Sequence, residues 1–174
     1  KLVVGGAGEA DTPVNREKLL KHLLIIGDQA ARYNLVYCFE THPGVCRHPD
    51  SMCELMETLQ HPHLKLNFDT GNILYYNQGL DVAQALRQVR NHVKHVHLKD
   101  TNGQFEDWHF PALGAGGAVD FSQIKQLLDE DSYQGPYSLE IEGIQGEPEL
   151  SQTDYKQRIE ESLAHLESCG YFPC

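Results

Sequence analysis

Short apolar strands alternate with amphipathic helices along this chain, and a carboxylate or imidazole side chain stands at the end of four successive predicted strands. These residues are Glu40, Asp69, His97 and Glu140. The carboxyl ends of parallel strands in an α/β barrel share one rim, and active sites form at that rim. We therefore expect the four side chains, one from each strand–helix unit, to meet in space.

The apolar pattern predicts five strands and a helix after each of them. The strands are expected at residues 2–4, 35–40, 64–69, 93–98 and 137–141. The helices are expected at 15–33, from Pro49 with Asp50 as its N-cap, after Asp81, at 121–128 after the capping pair Asp120 and Gln123, and at 153–168. The last helix carries a stripe of Tyr155, Ile159, Leu163 and Leu166, and Gly170 is expected as its C′ residue.

The alternation predicts βαβ units, and therefore an α/β fold with a parallel sheet. No low-complexity linker divides the chain, so residues 1–174 are expected to form a single domain. A complete barrel of eight strands takes about 250 residues. We therefore expect the C-terminal portion of a (β/α)8 TIM barrel, roughly its last five βα units, with the N-terminal units absent. An open five-stranded α/β sheet is the alternative.

Composition narrows the classes of partner. The net charge of −11 argues against nucleic-acid binding as the main task. No apolar run reaches membrane-spanning length, and the first residues lack a secretory pattern, so we expect no membrane partner. Five cysteines without a CxxC zinc spacing fit reduced thiols and a cytoplasmic location. A small molecule is the expected partner, and a homo-oligomer is left open.

The types of the four rim residues indicate a metal site. Three carboxylates and one imidazole suit a divalent cation with mixed oxygen and nitrogen ligands. Side chains two apart on a strand share a face, so Glu40, Asp69, His97 and Glu140 are expected on the inward side of their strands. Because buried carboxylates without partners are destabilising by several kcal/mol, such a row calls for a compensating cation.

Five short segments in a fixed order carry a family resemblance. They are Glu40-Thr41-His42-Pro43-Gly44, Asn67-Phe68-Asp69-Thr70-Gly71-Asn72, His95-Val96-His97-Leu98-Lys99-Asp100, Leu113-Gly114-Ala115-Gly116 and Leu139-Glu140-Ile141-Glu142-Gly143. The set resembles the xylose isomerase-like TIM-barrel superfamily, the sugar phosphate isomerase/epimerase group, over about residues 35–172. It would match strands four to eight of that barrel.

The resemblance implies a metal-dependent sugar isomerase or epimerase. Its metal would be Mn²⁺, Mg²⁺ or Co²⁺, with Zn²⁺ as a further option, bound by Glu40, Asp69, His97 and Glu140. The substrate would be a sugar or sugar derivative. The reaction would be proton abstraction next to a carbonyl through a metal-stabilised enediolate. Glu40 and Glu140 would serve both as ligands and as the acid and base.

Further residues are candidates for substrate contacts: His42, Asn72, Lys99 and His109. Asn72 stands where several epimerases and the endonuclease IV branch carry a histidine, so recognition is expected to differ there. For Lys99, a strand-end salt bridge with Asp100 or Glu142 is the other interpretation.

The pair Asp107 and His109, just before a Leu-Gly-x-Gly turn, resembles the second-metal element of endonuclease IV. The other interpretation is a loop that covers the substrate with Trp108 as its lid.

Three alternative functions stay open beside the isomerase or epimerase. A keto-sugar or keto-cyclitol dehydratase would use the same site and the same first step. An endonuclease IV-like, zinc-dependent abasic-site nuclease is disfavoured by Asn72 and by the net charge of −11. A binding domain that keeps only the fold is disfavoured by the presence of all four candidate ligands, and fold alone decides none of these functions.

Overall fold

A computed structural model describes residues 1–7 and 10–172 of the chain. The strands are β1 (Leu2–Gly5), β2 (Val36–Glu40), β3 (Leu64–Asp69), β4 (Val93–Leu98), β5 (His109–Phe110), β6 (Tyr137–Leu139) and β7 (Gly143–Ile144). Five of them form a parallel sheet in the order β1-β2-β3-β4-β6. The predicted parallel α/β fold is confirmed.

The helices are α1 (Pro13–Arg32), α2 (Pro49–Leu59), α3 (Asn72–Tyr75), α4 (Val82–Val89), α5 (Phe121–Glu130) and α6 (Gln152–Ser168). Asp81 and Asp120 cap α4 and α5 as expected, because each side chain accepts a hydrogen bond from the backbone amide three residues later. The prediction that Asp50 caps α2 is wrong. Pro49 occupies the first helical turn, and His48 is the N-cap whose Nδ1 accepts from the Asp50 amide at 3.2 Å.

The two faces of the sheet differ in polarity. Apolar side chains on one face, among them Phe39, Leu66, Phe68 and Val96, are buried against the helices in one hydrophobic core. The register places Glu40 beside Asn67 and Asp69 beside His97 on the opposite face. Because successive side chains of a strand alternate in direction, one strand supplies the core and the polar rim together.

The sheet is a partial (β/α) barrel, with β1 and β6 at its edges within the described residues. Val3 and Val4 of β1 are 44% and 37% exposed. That the remaining βα units lie outside residues 1–174 stays a prediction. Within the described ranges, none of the helices combines the length and apolar content that crossing a membrane requires.

Most of the apolar stripe on the C-terminal helix α6 is exposed and does not pack in the core. Leu166 is buried, whereas Tyr155, Ile159 and Leu163 are each 41% exposed. Gly170 has a φ of 82° after the helix, which confirms its expected position as the C′ residue. The last expected strand, at 137–141, ends earlier, at Leu139.

The long loop after β4 is ordered by one buried carboxylate. Asp100 is 1% exposed and accepts hydrogen bonds from the amides of Thr101, Gly114 and Val119 at 2.9, 3.0 and 3.2 Å. A side chain at Gly117 would collide with this carboxylate, which explains the glycine there. The loop also contains β5, which pairs with β7 and which the sequence did not predict.

Replacing the buried carboxylate should loosen this loop. We expect Asp100→Ala to lower the free energy of unfolding by about 3 kcal/mol, because three buried amides lose a charged acceptor. Urea denaturation would measure the change. Asp129→Ala, which removes an exposed ion pair with Lys125, is the control and should lower stability by about 0.5 kcal/mol. Equal effects of the two variants would contradict the proposed role of Asp100.

Candidate metal centre

Four side chains from four parallel strands converge at the rim of the sheet. Glu40 and Asp69 end β2 and β3, His97 lies near the end of β4, and Glu140 follows β6 directly. The amide of Glu140 donates to the carbonyl of Leu98 at 3.0 Å, so the backbone still follows the sheet at that point. One potential ligand atom from each of the four residues lies within 4.8 Å of the others.

His97 stands at the centre of this group. Its Nδ1 lies 2.6 Å from Glu140 Oε2, 3.4 Å from Glu40 Oε1 and 3.5 Å from Asp69 Oδ2. Nevertheless, His97 Nδ1 and Asp69 Oδ2 are buried without a partner in hydrogen-bond geometry. Buried polar atoms rarely lack a hydrogen-bond partner. A cation bound among the four residues would provide a partner for both atoms. The donor set of three carboxylates and one imidazole therefore fits a divalent metal.

The charges of the group are strongly coupled. Burial raises the pKa of Asp69 to about 6, although His97 and Lys99 oppose that rise. Burial also disfavours a charge on His97, but its contacts with Asp69, Glu140 and Glu40 prevail and raise the pKa of His97 to about 11. Burial would raise the pKa of Glu140 as well, yet His97 and Lys99 lower it to about 2. Without a metal, a proton on His97 offsets part of the negative charge of the carboxylates.

Backbone and amide groups fix the two acidic residues of β2 and β3. Asp69 Oδ1 accepts from the amides of Gly71 and Asn72 at 2.9 and 2.7 Å, which leaves Oδ2 directed towards the other ligands. Asn72 Nδ2 donates to Glu40 Oε1 at 3.2 Å and to the carbonyl of Thr41 at 3.1 Å. Asn72 thus orients Glu40, and its predicted contact with substrate stays a prediction.

Lys99 is the cation of the site and is only 2% exposed. Its Nζ lies 3.1 Å from Asn72 Oδ1, 3.1 Å from Glu140 Oε1 and 2.6 Å from Glu142 Oε2. The contacts with Asn72 and Glu140 are hydrogen bonds, whereas the contact with Glu142 is an ion pair without hydrogen-bond geometry. The salt bridge to Glu142, one of the two partners considered for Lys99, is present. A substrate contact for Lys99 stays a prediction.

A neutral polar layer lies next to the ligands on the same face of the sheet. His95 Nδ1 is 2.8 Å from Asn67 Oδ1, and its Nε2 is 2.9 Å from Ser138 Oγ. Burial lowers the pKa of His95 to about 4, so this ring is neutral at pH 7. The rings of His95 and His97 meet edge to face at 5.1 Å. The spacing of these two histidines in the sequence indicates a polar interior. It does not predict the hydrogen bonds of His95 with Asn67 and Ser138.

The other predicted site residues lie outside the group of four. His42 is exposed, with its ring 6.0 Å from that of Tyr76. Asp107 is exposed and accepts from Asn102 Nδ2 at 2.7 Å, while His109 is half-buried in β5. In the described part of the chain, the cluster of three or more potential metal ligands includes neither Asp107 nor His109. Their role at a second metal, and the substrate contacts of His42 and His109, stay predictions.

Neutralising Asp69 should separate metal binding from folding. Asp69→Asn keeps an oxygen for the amides of Gly71 and Asn72 but removes the buried charge. We expect Mn²⁺ to raise the melting temperature of the wild type and to have little effect on the variant, whose metal-free form should be at least as stable. Thermal melts with and without Mn²⁺ would test this, with Asp107→Asn as control. An unchanged metal response in Asp69→Asn would exclude Asp69 as a ligand.

Metal binding should release a proton from His97. Because the carboxylates raise the pKa of this ring to about 11, it is protonated at neutral pH and must lose its proton to become a ligand. Affinity for Mn²⁺ should therefore increase with pH, by up to about tenfold per pH unit near neutrality. Calorimetric titrations in buffers of different ionisation enthalpy would count the proton. The exposed His22 provides a control, His22→Gln, that should behave as wild type, and a heat independent of the buffer would contradict the prediction.

Comparison with known proteins agrees with this geometry. The family model described as xylose isomerase-like TIM barrel matches residues 1–169. An inosose dehydratase from Clostridium beijerinckii is 28% identical over 161 residues, which cover 78% of this chain and 53% of that protein.

Two solved structures share the fold. A 3-keto-D-glucoside 4-epimerase from E. coli superimposes with a TM-score of 0.74 at 21% identity, covering 95% of this chain and 63% of that one. A xylose isomerase-like TIM-barrel protein from Mycobacterium smegmatis in complex with magnesium gives a TM-score of 0.71 at 18% identity, with coverages of 95% and 62%. The chain spans about half the length of the curated relatives that it matches. The family model covers residues 1–169, and the sheet is a partial barrel, so the chain belongs to the xylose isomerase-like TIM-barrel family.

Proposed function

We propose that this chain carries the metal-binding rim of an enzyme that removes a proton beside the carbonyl of a keto-polyol and then expels water. The observation that carries the proposal is the convergence of Glu40, Asp69, His97 and Glu140 around buried atoms that lack partners. The similarity to an inosose dehydratase over 78% of the chain favours dehydration over the isomerase or epimerase activity expected from the sequence.

A divalent cation at these ligands would supply Lewis-acid stabilisation of the charge that develops on the carbonyl oxygen, worth several kcal/mol. Mn²⁺, Mg²⁺ or Co²⁺ suits a site dominated by carboxylates. A related fold, that of the Mycobacterium smegmatis protein, was solved in complex with magnesium.

The surroundings of the two glutamates support different roles for them. Glu140 Oε1 lies 3.1 Å from Lys99 Nζ, a cation that remains beside it when His97 gives up its proton to a metal. A carboxylate held in this way is a good ligand and a weak base. The hydrogen-bond donor to Glu40 is the neutral amide of Asn72. We therefore assign proton removal to Glu40, while Glu140 holds the metal and Lys99 holds Glu140.

An epimerase is the second candidate, and the placement of the glutamates is the observation in its favour. Glu40 ends β2 and Glu140 follows β6, and β3 and β4 lie between these strands in the sheet. A substrate bound between the two carboxylates could lose a proton on one face and regain it on the other. Both reactions begin with the same proton transfer, so the fate of the substrate distinguishes them.

Substituting the assigned base should slow turnover strongly while leaving the other three candidate ligands in place. We expect Glu40→Gln to slow exchange of the substrate proton into D2O by a factor of about 10² to 10⁴, because an amide cannot accept that proton. Proton NMR of an inosose with the Mn²⁺-loaded chain would follow exchange, and mass spectrometry would detect loss of water. Glu160→Gln, an exposed substitution on α6, is the matched control.

The products then decide between the candidates. Loss of water supports the dehydratase, and inversion without loss of water supports the epimerase. Equal exchange rates for Glu40→Gln and the wild type would exclude Glu40 as the base. Cleavage of an abasic-site oligonucleotide, with no exchange in keto-polyols, would replace both candidates by the nuclease.

A further inference from the structure

An open groove of about 370 Å³ lies beside β7 and the start of α6. We name it the rim groove, and its walls include Trp108, Glu142, Glu147, Glu149, Leu150 and Tyr155. Its two aromatic residues, Trp108 and Tyr155, are 40% and 41% exposed. Large aromatic side chains left open in a concave surface are typical of ligand sites.

Trp108 is held firmly although it is exposed. Its ring meets the rings of Tyr75 and Phe110 edge to face, with centroids 5.9 and 5.1 Å away. Its carbonyl accepts a hydrogen bond at 2.7 Å from the amide of Gln145, which also lines the groove. A ring fixed by other rings and by the backbone forms a wall before any ligand arrives, which reduces the entropy lost on binding.

Glu142 connects the rim groove to the metal centre. It lines the groove, and its Oε2 lies 2.6 Å from Lys99 Nζ, which in turn lies 3.1 Å from Glu140 Oε1. Only one lysine side chain therefore separates a wall of the groove from a candidate metal ligand. A substrate with its reacting carbon at the ligands could extend its next unit into the groove.

The charge of the groove selects the chemistry of its ligand. Three of its residues are glutamates, and the neighbouring cations are already engaged. Lys99 pairs with Glu140 and Glu142, and Arg158 pairs with Glu147 at 2.5 and 3.1 Å. Both oxygens of Glu147 and one oxygen of Glu142 are thus engaged, but three glutamates against two cations leave the groove with a net negative charge, which repels phosphates and carboxylates. The carboxylate of Glu149 and the remaining lone pairs of the other two glutamates can accept hydrogen bonds from hydroxyl groups. The electron-rich faces of aromatic rings attract the C–H groups of a saturated ring.

We infer that the rim groove is a subsite for an uncharged, hydroxyl-rich ring, such as a glycosyl unit, attached to the part of the substrate that reacts. Its hydroxyls would donate to the glutamates, and its C–H face would pack on Trp108 and Tyr155. The link to catalysis rests on the proposed function, whereas binding in the groove does not require it. Such a subsite would select neutral glycosides over sugar phosphates as substrates.

The chain provides its own reporter, because Trp108 is its single tryptophan. Its fluorescence would be followed during titration with methyl glucopyranoside, cellobiose and glucose 6-phosphate, each up to about 50 mM, where ligands with millimolar Kd values saturate. We expect a saturable change with the neutral saccharides and none with the phosphate. A stronger response to the phosphate, or no saturable response to either neutral saccharide, would overturn the inference.

Two variants of Tyr155 give the matched comparison. Tyr155→Ala should weaken saccharide binding about three- to tenfold, the size of one aromatic contact, while Tyr155→Phe, which keeps the ring, should bind as wild type. Circular dichroism would verify that both variants fold. Unchanged affinity in Tyr155→Ala would refute the role of this wall.

Repeating the titration in EDTA separates the inference from the proposed function. Saccharide binding that persists in EDTA, with no turnover after Mn²⁺ is restored, would support the subsite and refute the enzyme. Turnover of keto-polyols without saccharide binding would support the enzyme and refute the subsite.

Discussion

The repulsion among three carboxylates brought to one rim is the constraint on which the rest of this site depends. Glu40, Asp69 and Glu140 cannot all be ionised next to each other in a buried setting without positive charge among them. His97 provides it within the cluster, and Lys99 provides it on the outer side of Glu140. Replacing the proton on His97 by a divalent cation would add positive charge among the three carboxylates. The affinity of the site for metal and the strain of the metal-free form thus have the same origin.

The sheet meets this constraint through ordinary alternation. Each central strand directs apolar side chains towards the helices and polar ones towards the opposite face. The strands that supply the core residues therefore also set the spacing of the ligands on the opposite face. His95, neutral and bonded to Asn67 and Ser138, fills the next position on that face without adding a charge. A second charged histidine there would compete with His97 for the same carboxylates.

Much of this arrangement could be predicted from local sequence, and the remainder depends on contacts between distant residues. The strands, the caps Asp81 and Asp120 and the convergence of four rim residues follow from periodicity and from short capping patterns. The cap of α2 was misassigned because His48 is an unusual N-cap and Asp50 is a common one.

Long-range pairing explains what the sequence did not indicate. The pairing of β5 with β7 joins residues more than 30 positions apart, and each strand is only two residues long. The engagement of Lys99 by Asn72, Glu140 and Glu142 likewise depends on three segments meeting. The sequence predicts the apolar stripe on α6 but not its exposure, because burial depends on what packs against a helix. Short patterns carry no information about such partners.

Asp69 has one further consequence for anyone who wishes to redesign this rim. One of its oxygens accepts from the two amides that open α3, and the other faces the ligand cluster. The residue therefore belongs to the scaffold and to the site at once. A designer can exchange Glu40 or Glu140 for another ligand type and leave the backbone in place. At position 69 the choice narrows to aspartate or asparagine, so a change of metal preference has to be engineered from the other three positions.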